Sequence, residues 1–316
     1  MGDSDPRIGG GRDVALTVVT ASDTKFFPHL RNLLASLGRQ TAPAESIVVV
    51  DVGLDDAQRA QLAAAGCRIA VYGGELFGDV RRDLAALEVR ACLDLLLPEA
   101  EFILWLDADI WLQSRRYLAE LRSFAGDYDL VVTPQMDAGY SGGRTGVHVG
   151  RGWFGLPRLS GWNHDLYVEA YGKAVAYAMA SSSVMNGGFF LAPRRSAFWE
   201  EFRRRYREAR CRKFGVDQVA LTRTAVEARI ATAVLDAGFN WLCSFWQPVL
   251  DASSDFFRKP NPPYDVIRAI HLADAAKWQP YAIRRVGGGE RQVAFYDPAT
   301  VAAAIDACAA HDERRR

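Results

Sequence analysis

The sequence lacks any excess of charge of one sign. Its 316 residues contain 38 Lys and Arg and 38 Asp and Glu, so the formal net charge at pH 7 is zero. A neutral chain gives no electrostatic reason to expect nucleic acid as a partner, whereas peripheral contact with a membrane stays open. Lysine is scarce and occurs only at positions 25, 173, 213, 259 and 277, which we attribute to genomic composition rather than to function.

Long apolar runs and paired cysteines are also missing. No uninterrupted apolar segment reaches the length of a membrane span, and the first residues lack the apolar core of a signal peptide. The five cysteines are scattered, odd in number and without the spacing of a metal site, which is typical of buried thiols in a reducing compartment. We therefore expect a soluble cytoplasmic protein with an ordinary globular core.

The most informative stretch is the apolar run Phe102–Leu106, which is followed at once by Asp107 and Asp109. A continuous apolar run of this length is typical of a buried strand, and ligands of α/β proteins bind at the carboxyl ends of such strands. Two carboxylates at that place are suitable ligands for Mg²⁺ or Mn²⁺ shared with a diphosphate. The alternative is that Asp107 caps a following helix and Asp109 is a turn residue.

Strands alternate with helices over the first 124 residues, which predicts an α/β fold with a parallel, doubly wound sheet. The predicted strands are Val14–Thr20, Ser46–Asp51, Cys67–Val71, 101–106, Asp129–Thr133, Ser183–Pro193, 230–235, 239–246 and Val266–His271. The predicted helices are Lys25–Leu37, 55–65, Asp79–Leu97, Ser196–Arg210, one that starts at Val216, and 298–310. We expect one domain over 1–316, with a loose leader at 1–12 and a C-terminal tail at 280–316 that contains the last helix.

The segment 136–180 differs in texture because it is rich in Gly and in aromatic residues such as Trp153 and Trp162. Long irregular segments inside a compact domain are often functional, and aromatic rings can stack on sugar faces. We interpret 136–180 as an insert that forms a loop on the acceptor side of a binding site. The alternative is a loop that is pinned by buried aromatic side chains.

Polar residues follow several of the predicted strands. Because the carboxyl ends of parallel strands share one edge of a sheet, these residues are expected to converge. A metal held by two Asp and a neutral His keeps positions for phosphate oxygens and water. Lys277 follows His271 by six residues, which is close enough for its ammonium group to reach the same phosphates.

Five features, in order over residues 14–278, resemble those of nucleotide-sugar glycosyltransferases of the GT-A fold, and most closely glycosyltransferase family 8. They are Thr20-Ala-Ser-Asp23 followed by Lys-Phe-Phe, Val50-Asp51 with the turn after it, Leu106-Asp-Ala-Asp109, Asn186-Gly-Gly-Phe-Phe-Leu followed by Asp217-Gln218, and His271 with Lys277-Trp278. The sequence departs from the family pattern at Asp274, where Gly is usual, and at Ala276 to Trp278, where a Pro before Trp is absent. The insert 136–180 has no counterpart.

The resemblance implies a Rossmann-like nucleotide-binding half with a smaller acceptor-side half, and it implies a role for each matching residue. Asp107, Asp109 and His271 would hold Mn²⁺ or Mg²⁺. The UDP-sugar donor would be bound through uracil and ribose by Thr20, Ser22, Asp23 and Asp51, and through its sugar and phosphates by Arg90 and Lys277. The catalytic residues beside the anomeric carbon would be Asn186, Asp217 and Gln218.

The function implied is transfer of a hexose from a UDP-sugar to an acceptor hydroxyl of a glycan, a lipid-linked sugar or a small molecule, with retention of configuration. Two alternatives stay open. One is an inverting GT-A enzyme of a neighbouring family, for which Asp137, Asp165 or Glu169 would supply the base. The other is a non-catalytic protein that binds nucleotide sugars or glycans.

Overall fold

The computed structural model describes residues 14–140, 148–151 and 157–314. The predicted leader at 1–12 and the aromatic residues Trp153 and Phe154 lie outside the described residues. No helix among the residues that are described combines the length and the apolar character that crossing a membrane requires.

The strands within the described part of the chain are Leu16–Ser22 (β1), Ser46–Asp51 (β2), Arg68–Val71 (β3), Phe102–Leu106 (β4), Ile110–Leu112 (β5), Leu130–Pro134 (β6), His148–Arg151 (β7), Pro157–Ser160 (β8), Met185–Pro193 (β9), Thr232–Val234 (β10), Trp241–Leu242 (β11), Val249–Leu250 (β12), Phe257–Arg258 (β13), Ala269–His271 (β14), Tyr281–Arg284 (β15) and Glu290–Val293 (β16).

The α-helices described are Phe27–Leu37 (α1), Asp56–Ala64 (α2), Ala85–Glu88 (α3), Leu93–Leu96 (α4), Tyr117–Arg122 (α5), Trp162–Tyr171 (α6), Lys173–Met179 (α7), Phe198–Glu208 (α8), Val216–Glu227 (α9) and Pro298–Arg314 (α10). Short 3₁₀ turns lie at Val89–Cys92, Ala237–Phe239 and Asp274–Lys277.

A seven-stranded sheet with the order β10-β6-β9-β4-β1-β2-β3 forms the centre of the fold. Strands β1 to β4 pair in parallel, as the alternation of strands and helices predicts. Strand β9 is antiparallel to both of its neighbours, β4 and β6. Its amino end therefore lies beside the carboxyl end of β4, so that the start of β9 and the residues after β4 share one edge of the sheet.

A three-stranded sheet with the order β11-β14-β5 stands next to that edge. Strand β5 begins one residue after Asp109, and its first residue, Ile110, pairs with His271 at the end of β14. The backbone N–H of Leu272 also donates to the carbonyl of Asp109 over 2.9 Å. This pairing brings the last predicted strand back to the two carboxylates, although His271 follows Asp109 by 162 positions along the chain (271 − 109).

Both faces of the central sheet are covered by helices, because alternate residues of each strand point to opposite sides. Trp105 and Phe190 face a core built with α6, α8 and α9, whereas Leu104 and Leu191 face a core built with α1 and α5. A third core lies between the small sheet, the hairpin β15–β16 and α10. The segment predicted as a C-terminal tail is thus packed on the domain.

Two predicted elements differ from the structure. The predicted helix Asp79–Leu97 begins only at Ala85 and is broken into α3, a 3₁₀ turn and α4, while Asp79 pairs with Arg212 instead of opening a helix. The predicted strand 239–246 is reduced to β11, and Asn240 before it uses its side chain as a hydrogen-bond partner of His271.

The described part of segment 136–180 is also more regular than expected. It contains the helices α6 and α7 and the hairpin of β7 with β8, where the sequence predicts an irregular loop.

Candidate active site

A cleft of about 460 Å³ opens at the shared edge of β4 and β9. It is lined by eight of the residues that the sequence predicts as functional: Arg90, Asp107, Asp109, Asn186, Asp217, Gln218, His271 and Lys277. These residues come from six separate parts of the chain, and the sheet topology brings them together. Of the residues whose convergence is predicted from strand ends, Asp107, Asp109 and His271 are brought together here.

Asp107, Asp109 and His271 form a group that we call the acidic triad. One ligand atom from each residue lies within 4.8 Å of the others. Nε2 of His271 is 3.4 Å from an Asp109 oxygen and 3.8 Å from an Asp107 oxygen. Two carboxylates and an imidazole are a donor set that suits Mn²⁺ or Mg²⁺ with phosphate or water as further ligands, so the residues present fit such an ion.

Gly188 in β9 makes room for the triad. A Cβ atom at this position would lie 2.5 Å from Cε1 of His271 and 2.9 Å from Oδ2 of Asp107. Any side chain would therefore displace two members of the triad, which explains a glycine inside a buried strand.

His271 is oriented by Asn240, because its Nδ1 lies 3.1 Å from Oδ1 of Asn240. A proton on Nδ1 satisfies that contact, and Nε2 is the nitrogen that faces the carboxylates. This is the arrangement by which an outer hydrogen bond fixes the tautomer of a metal-binding histidine. Both residues are buried.

Asp109 is the carboxylate most strongly surrounded by positive charge. Burial alone would raise its pKa, but His271 and Lys277 outweigh that effect and hold the pKa of Asp109 well below its ordinary value. Nζ of Lys277 lies 2.8 Å from Oδ2 of Asp109. The carboxylate is therefore ionised at neutral pH, as a metal ligand must be.

Asp107 uses its two oxygens differently. Oδ1 accepts from the indole N–H of Trp105 at 2.8 Å and from the guanidinium of Arg90 at 2.5 Å. Oδ2 faces Nε2 of His271. The two donors thus fix the carboxylate of Asp107, so that its other oxygen, Oδ2, faces His271.

Arg90 lies between Asp107 and Asp217 and pairs with both carboxylates. Arg90 and Asp217 are buried and Asp107 is partly buried. Although burial disfavours the charged guanidinium, Asp107 and Asp217 raise the pKa of Arg90 above its ordinary value. Burial raises the pKa of Asp217, and Arg90 opposes that rise. Asp217 lies in the first turn of α9, whose N-cap is Gly215, and its side chain contacts Arg90.

Asn186 and Gln218 present amide groups to the cleft. Oδ1 of the buried Asn186 accepts from the backbone of Gly188 at 2.7 Å, while Nδ2 has no hydrogen-bond partner among the described residues. Oε1 of Gln218 accepts from Nε2 of Gln135 at 2.8 Å. An unpaired buried donor is costly, so Nδ2 of Asn186 is a group that a ligand hydroxyl would satisfy.

The four residues predicted to contact uracil and ribose do not line this cleft. Thr20 and Ser22 are buried in β1, and Asp23 accepts from the backbone of Phe26 at 2.8 Å. The loop after β1 meets the cleft at Lys277, whose ammonium lies 5.0 Å from the Phe26 ring centre. Phe26 is thus the residue of this loop that lies beside Lys277 at the wall of the cleft.

Asp51 is engaged in the turn after β2. It accepts from the backbone of Gly53 and Leu54 at 2.9 and 2.8 Å and from Arg59 at 2.7 Å. Burial opposes ionisation, but these donors outweigh it and lower the pKa of Asp51. Its side chain is thus occupied by the protein itself.

Sequence reasoning missed three residues that contact the site: Trp105, Gln135 and Asn240. Trp105 was taken as part of an apolar strand, although its indole N–H points to Asp107. Gln135 follows β6, so the rule that polar residues collect after strand ends could have identified it. Nothing in the sequence around Asn240 indicates its contact with His271.

No protein-family model matches the sequence, and no curated protein matches it. Among solved structures, the chain is similar to the galactosyltransferase LgtC in complex with donor and acceptor sugar analogs. The TM-score is 0.50 at 16% identity, and the match covers 82% of this chain and 88% of LgtC.

The chain is also similar to the apo structure of the bifunctional glycosyltransferase WbbM. The TM-score is 0.51 at 13% identity, over 84% of this chain, and the match spans about half of WbbM, 47% of its length. At such identities the likeness shows the fold alone. The predicted fold, GT-A with a central and mainly parallel sheet, is confirmed.

Proposed function

We propose that this chain is a metal-dependent glycosyltransferase that moves a hexose from a UDP-sugar to an acceptor hydroxyl with retention of configuration. One observation carries the proposal. An unbroken series of polar contacts runs through the cleft from Lys277 to Asp109, His271 and Asp107, and then through Arg90 to Asp217. One end of the series offers groups for a diphosphate, and the other offers groups for a sugar.

The diphosphate end consists of the acidic triad and Lys277. A divalent ion held by Asp107, Asp109 and His271 would supply Lewis-acid stabilisation of the leaving diphosphate. Lys277 donates to Asp109 and stands at the cleft wall, where its ammonium group would also neutralise phosphate charge. Such fixed charges, aimed at the place where charge develops, are usually the largest contribution to catalysis.

The sugar end consists of Arg90, Asn186, Asp217 and Gln218. Arg90 holds Asp217 in place, and Gln135 fixes the amide of Gln218. Nδ2 of Asn186 is directed to a hydroxyl of the donor sugar in this proposal, because burial leaves it without a protein partner among the described residues. Asp217 and Gln218 would then lie beside the anomeric carbon.

Retention is supported by the positions of the three carboxylates that the sequence offers as the base of an inverting enzyme. Asp137 pairs with Lys259 at 2.7 Å, Asp165 contacts His164 at 3.2 Å, and Glu169 pairs with Lys213. None of these three carboxylates lines the cleft. An inverting mechanism requires a base beside the acceptor hydroxyl, and none of these three residues is placed to serve as one in this cleft.

The choice of UDP rests on the loop after β1 and on the end of β2. Thr20, Ser22, Asp23 and Asp51 are proposed to hold uracil and ribose, and the loop borders the cleft at Lys277. Phe26 and Trp278 add aromatic surface there, with ring centres 6.2 Å apart. A base that enters at this side would place its diphosphate next to Lys277 and the acidic triad.

The proposal is tested by thermal-shift measurements with UDP, GDP, ADP and CDP, each with and without Mn²⁺, followed by assays of UDP release from UDP-glucose and UDP-galactose. We expect UDP to stabilise the protein most, and only with Mn²⁺. Asp109→Asn should abolish this stabilisation, whereas the exposed Asp56→Asn should retain it. Stabilisation by another nucleotide alone would contradict the UDP assignment, and equal stabilisation with a chelator would contradict the metal. Nucleotide binding without any turnover would favour a non-catalytic binding protein.

A further inference from the structure

Two aromatic rings stand exposed on the rim of the cleft. Phe214 is 71% exposed and Trp162 is 46% exposed, and both line the cleft together with Asp217 and Gln218. Their ring centres are 6.3 Å apart with the planes tilted by 55°. We call this pair the aromatic rim. Large apolar side chains are rarely left this open beside a polar cleft without a ligand to cover them.

The aromatic rim is held in place by Gly215. This residue has φ of +88° and precedes α9, the helix that carries Asp217 and Gln218. A Cβ atom on Gly215 would lie 2.5 Å from Cη2 of Trp162 and 2.9 Å from Cδ2 of Leu166. The glycine thus lets the indole pack against the backbone just before the catalytic turn, and it ties the position of Trp162 to that of Gln218.

The surroundings of the rim are polar. Gln135, Gln218 and Ser244 line the same cleft. A flat apolar surface flanked by amide and hydroxyl groups matches a pyranose ring, which has an apolar C–H face and a rim of hydroxyls. An aliphatic chain would offer these polar groups no further hydrogen bonds, whereas the hydroxyls of a sugar would.

The position of the rim separates it from the donor. The diphosphate end of the cleft is formed by the buried residues Asp109 and His271, whereas the rim is open to solvent and adjoins the start of α9 at Gly215. A donor whose phosphates reach the acidic triad would place its anomeric carbon beside Asp217 and Gln218, and not on the aromatic rim. The molecule that enters over the rim is then the second substrate.

We propose that Trp162 and Phe214 form a platform that binds the apolar face of a pyranose ring, and that the acceptor of the transfer is therefore a carbohydrate. This inference rests on the proposed function. Part of the platform, Trp162, belongs to the segment 136–180, so the expectation that this segment serves the acceptor side is here tied to a particular side chain.

The test compares Phe214→Ala and Trp162→Ala with Tyr177→Ala. Tyr177 is 60% exposed and lies on α7, outside the cleft, so it is a matched exposed aromatic control. Lactose, maltose, cellobiose and N-acetyllactosamine serve as acceptors with the UDP-sugar that the wild-type protein turns over. Saturation-transfer NMR with the same sugars measures binding without catalysis.

We expect at least one of these sugars to bind, and its KM and dissociation constant to rise about tenfold in the two rim variants, which corresponds to about 1.4 kcal/mol. The KM for the donor should change by less than about twofold, and Tyr177→Ala should match the wild type. Because Phe214 makes little buried contact, Phe214→Ala remains informative if Trp162→Ala fails to fold.

The experiment distinguishes failure of the sugar platform from failure of the proposed function. Donor turnover without binding of any of the four sugars, or binding that Phe214→Ala leaves unchanged, would overturn the platform and leave the glycosyltransferase proposal intact. Absence of all donor turnover by the wild-type protein would overturn the proposed function, and the acceptor role of the rim with it.

Discussion

Oδ1 of Asn240 lies 3.1 Å from Nδ1 of His271, and this contact decides which nitrogen of the imidazole faces the two carboxylates of the acidic triad. The two residues are joined by strand pairing, since β11 follows Asn240 directly and pairs in parallel with β14. A residue that binds no ligand itself can therefore set the metal affinity of the site.

We expect Asn240→Leu to weaken Mn²⁺ binding by about 10- to 100-fold, because loss of an outer hydrogen bond commonly has that effect. Isothermal titration of Mn²⁺ in the presence of UDP measures the change. Asn32→Leu is the matched control, because Asn32 is also a buried asparagine but bonds to the carbonyl of Tyr296 at 2.8 Å. The role assigned to Asn240 is wrong if both variants bind Mn²⁺ equally well.

Arg90 links the diphosphate end of the cleft to its sugar end, since it pairs with both Asp107 and Asp217. A lysine cannot reach two carboxylates with a planar fork, so Arg90→Lys should leave one of them unpaired. We expect kcat to fall by about 10²-fold or more, in the range found when one fixed donor of an active site is lost.

The matched control is Arg203→Lys. Arg203 is partly buried and pairs with Asp94 outside the cleft. Circular dichroism and steady-state UDP release measure folding and activity. Equal kcat values for Arg90→Lys and the wild type would show that the bridge has no catalytic importance.

Gly188→Ala tests the packing of the triad against β9. The added Cβ would meet Cε1 of His271 at 2.5 Å and Oδ2 of Asp107 at 2.9 Å, so both side chains must shift. We expect loss of Mn²⁺-dependent stabilisation by UDP and a decrease of about 1–3 kcal/mol in the free energy of unfolding, as for other overpacked sites.

Gly38→Ala is the control for this change. Its Cβ would find only ordinary contacts of 3.6 Å and more, and its φ is negative, so it should keep both properties. Thermal unfolding with and without Mn²⁺ and UDP measures the two effects. A Gly188→Ala variant that retains full stabilisation would contradict the geometry of the triad.

The sequence predicts the place of a site residue when that residue stands at the carboxyl end of a strand. Asp107 and Asp109 follow β4, and His271 ends β14, so the rule of shared strand ends is sufficient to bring them together. Asn186 is different, because it lies at the start of β9. Only the antiparallel direction of that strand places it at the same edge, and strand direction is not encoded locally.

Other parts of the site depend on contacts across the chain. Arg90 lies in a 3₁₀ turn where the sequence predicts the middle of a helix, and its pairing with Asp107 and Asp217 is visible only in three dimensions. The same holds for Trp105, whose apolar neighbours conceal the role of its N–H. Thr20 and Asp51 end two of the predicted strands, and in the structure they lie in β1 and at the end of β2, but neither lines the cleft.

The stability of the domain should depend on pH through Asp251, which follows β12. Burial opposes ionisation of its carboxyl group, but the hydrogen bonds from Ser253 and Arg258 outweigh this and lower its pKa from 3.8 to about 2. A carboxylate whose pKa is lower in the folded state stabilises the fold above its unfolded pKa. That contribution is lost as the pH falls from about 4 toward 2.

We expect Asp251→Asn to be about 2 kcal/mol less stable than the wild type at pH 7, since each pKa unit corresponds to about 1.4 kcal/mol. The difference should shrink as the pH is lowered from 4 to 2.5, because the carboxyl group of the unfolded wild-type chain, with its ordinary pKa of 3.8, takes up a proton in this range, whereas the folded carboxylate does so only near its pKa of about 2. Urea denaturation at several pH values measures both proteins, and Glu313→Gln, at an exposed position of α10, controls for the loss of one charge. A difference that stays constant down to pH 2.5 would mean that Asp251 acts through packing, because an ionised carboxylate paired with Arg258 cannot produce a pH-independent effect.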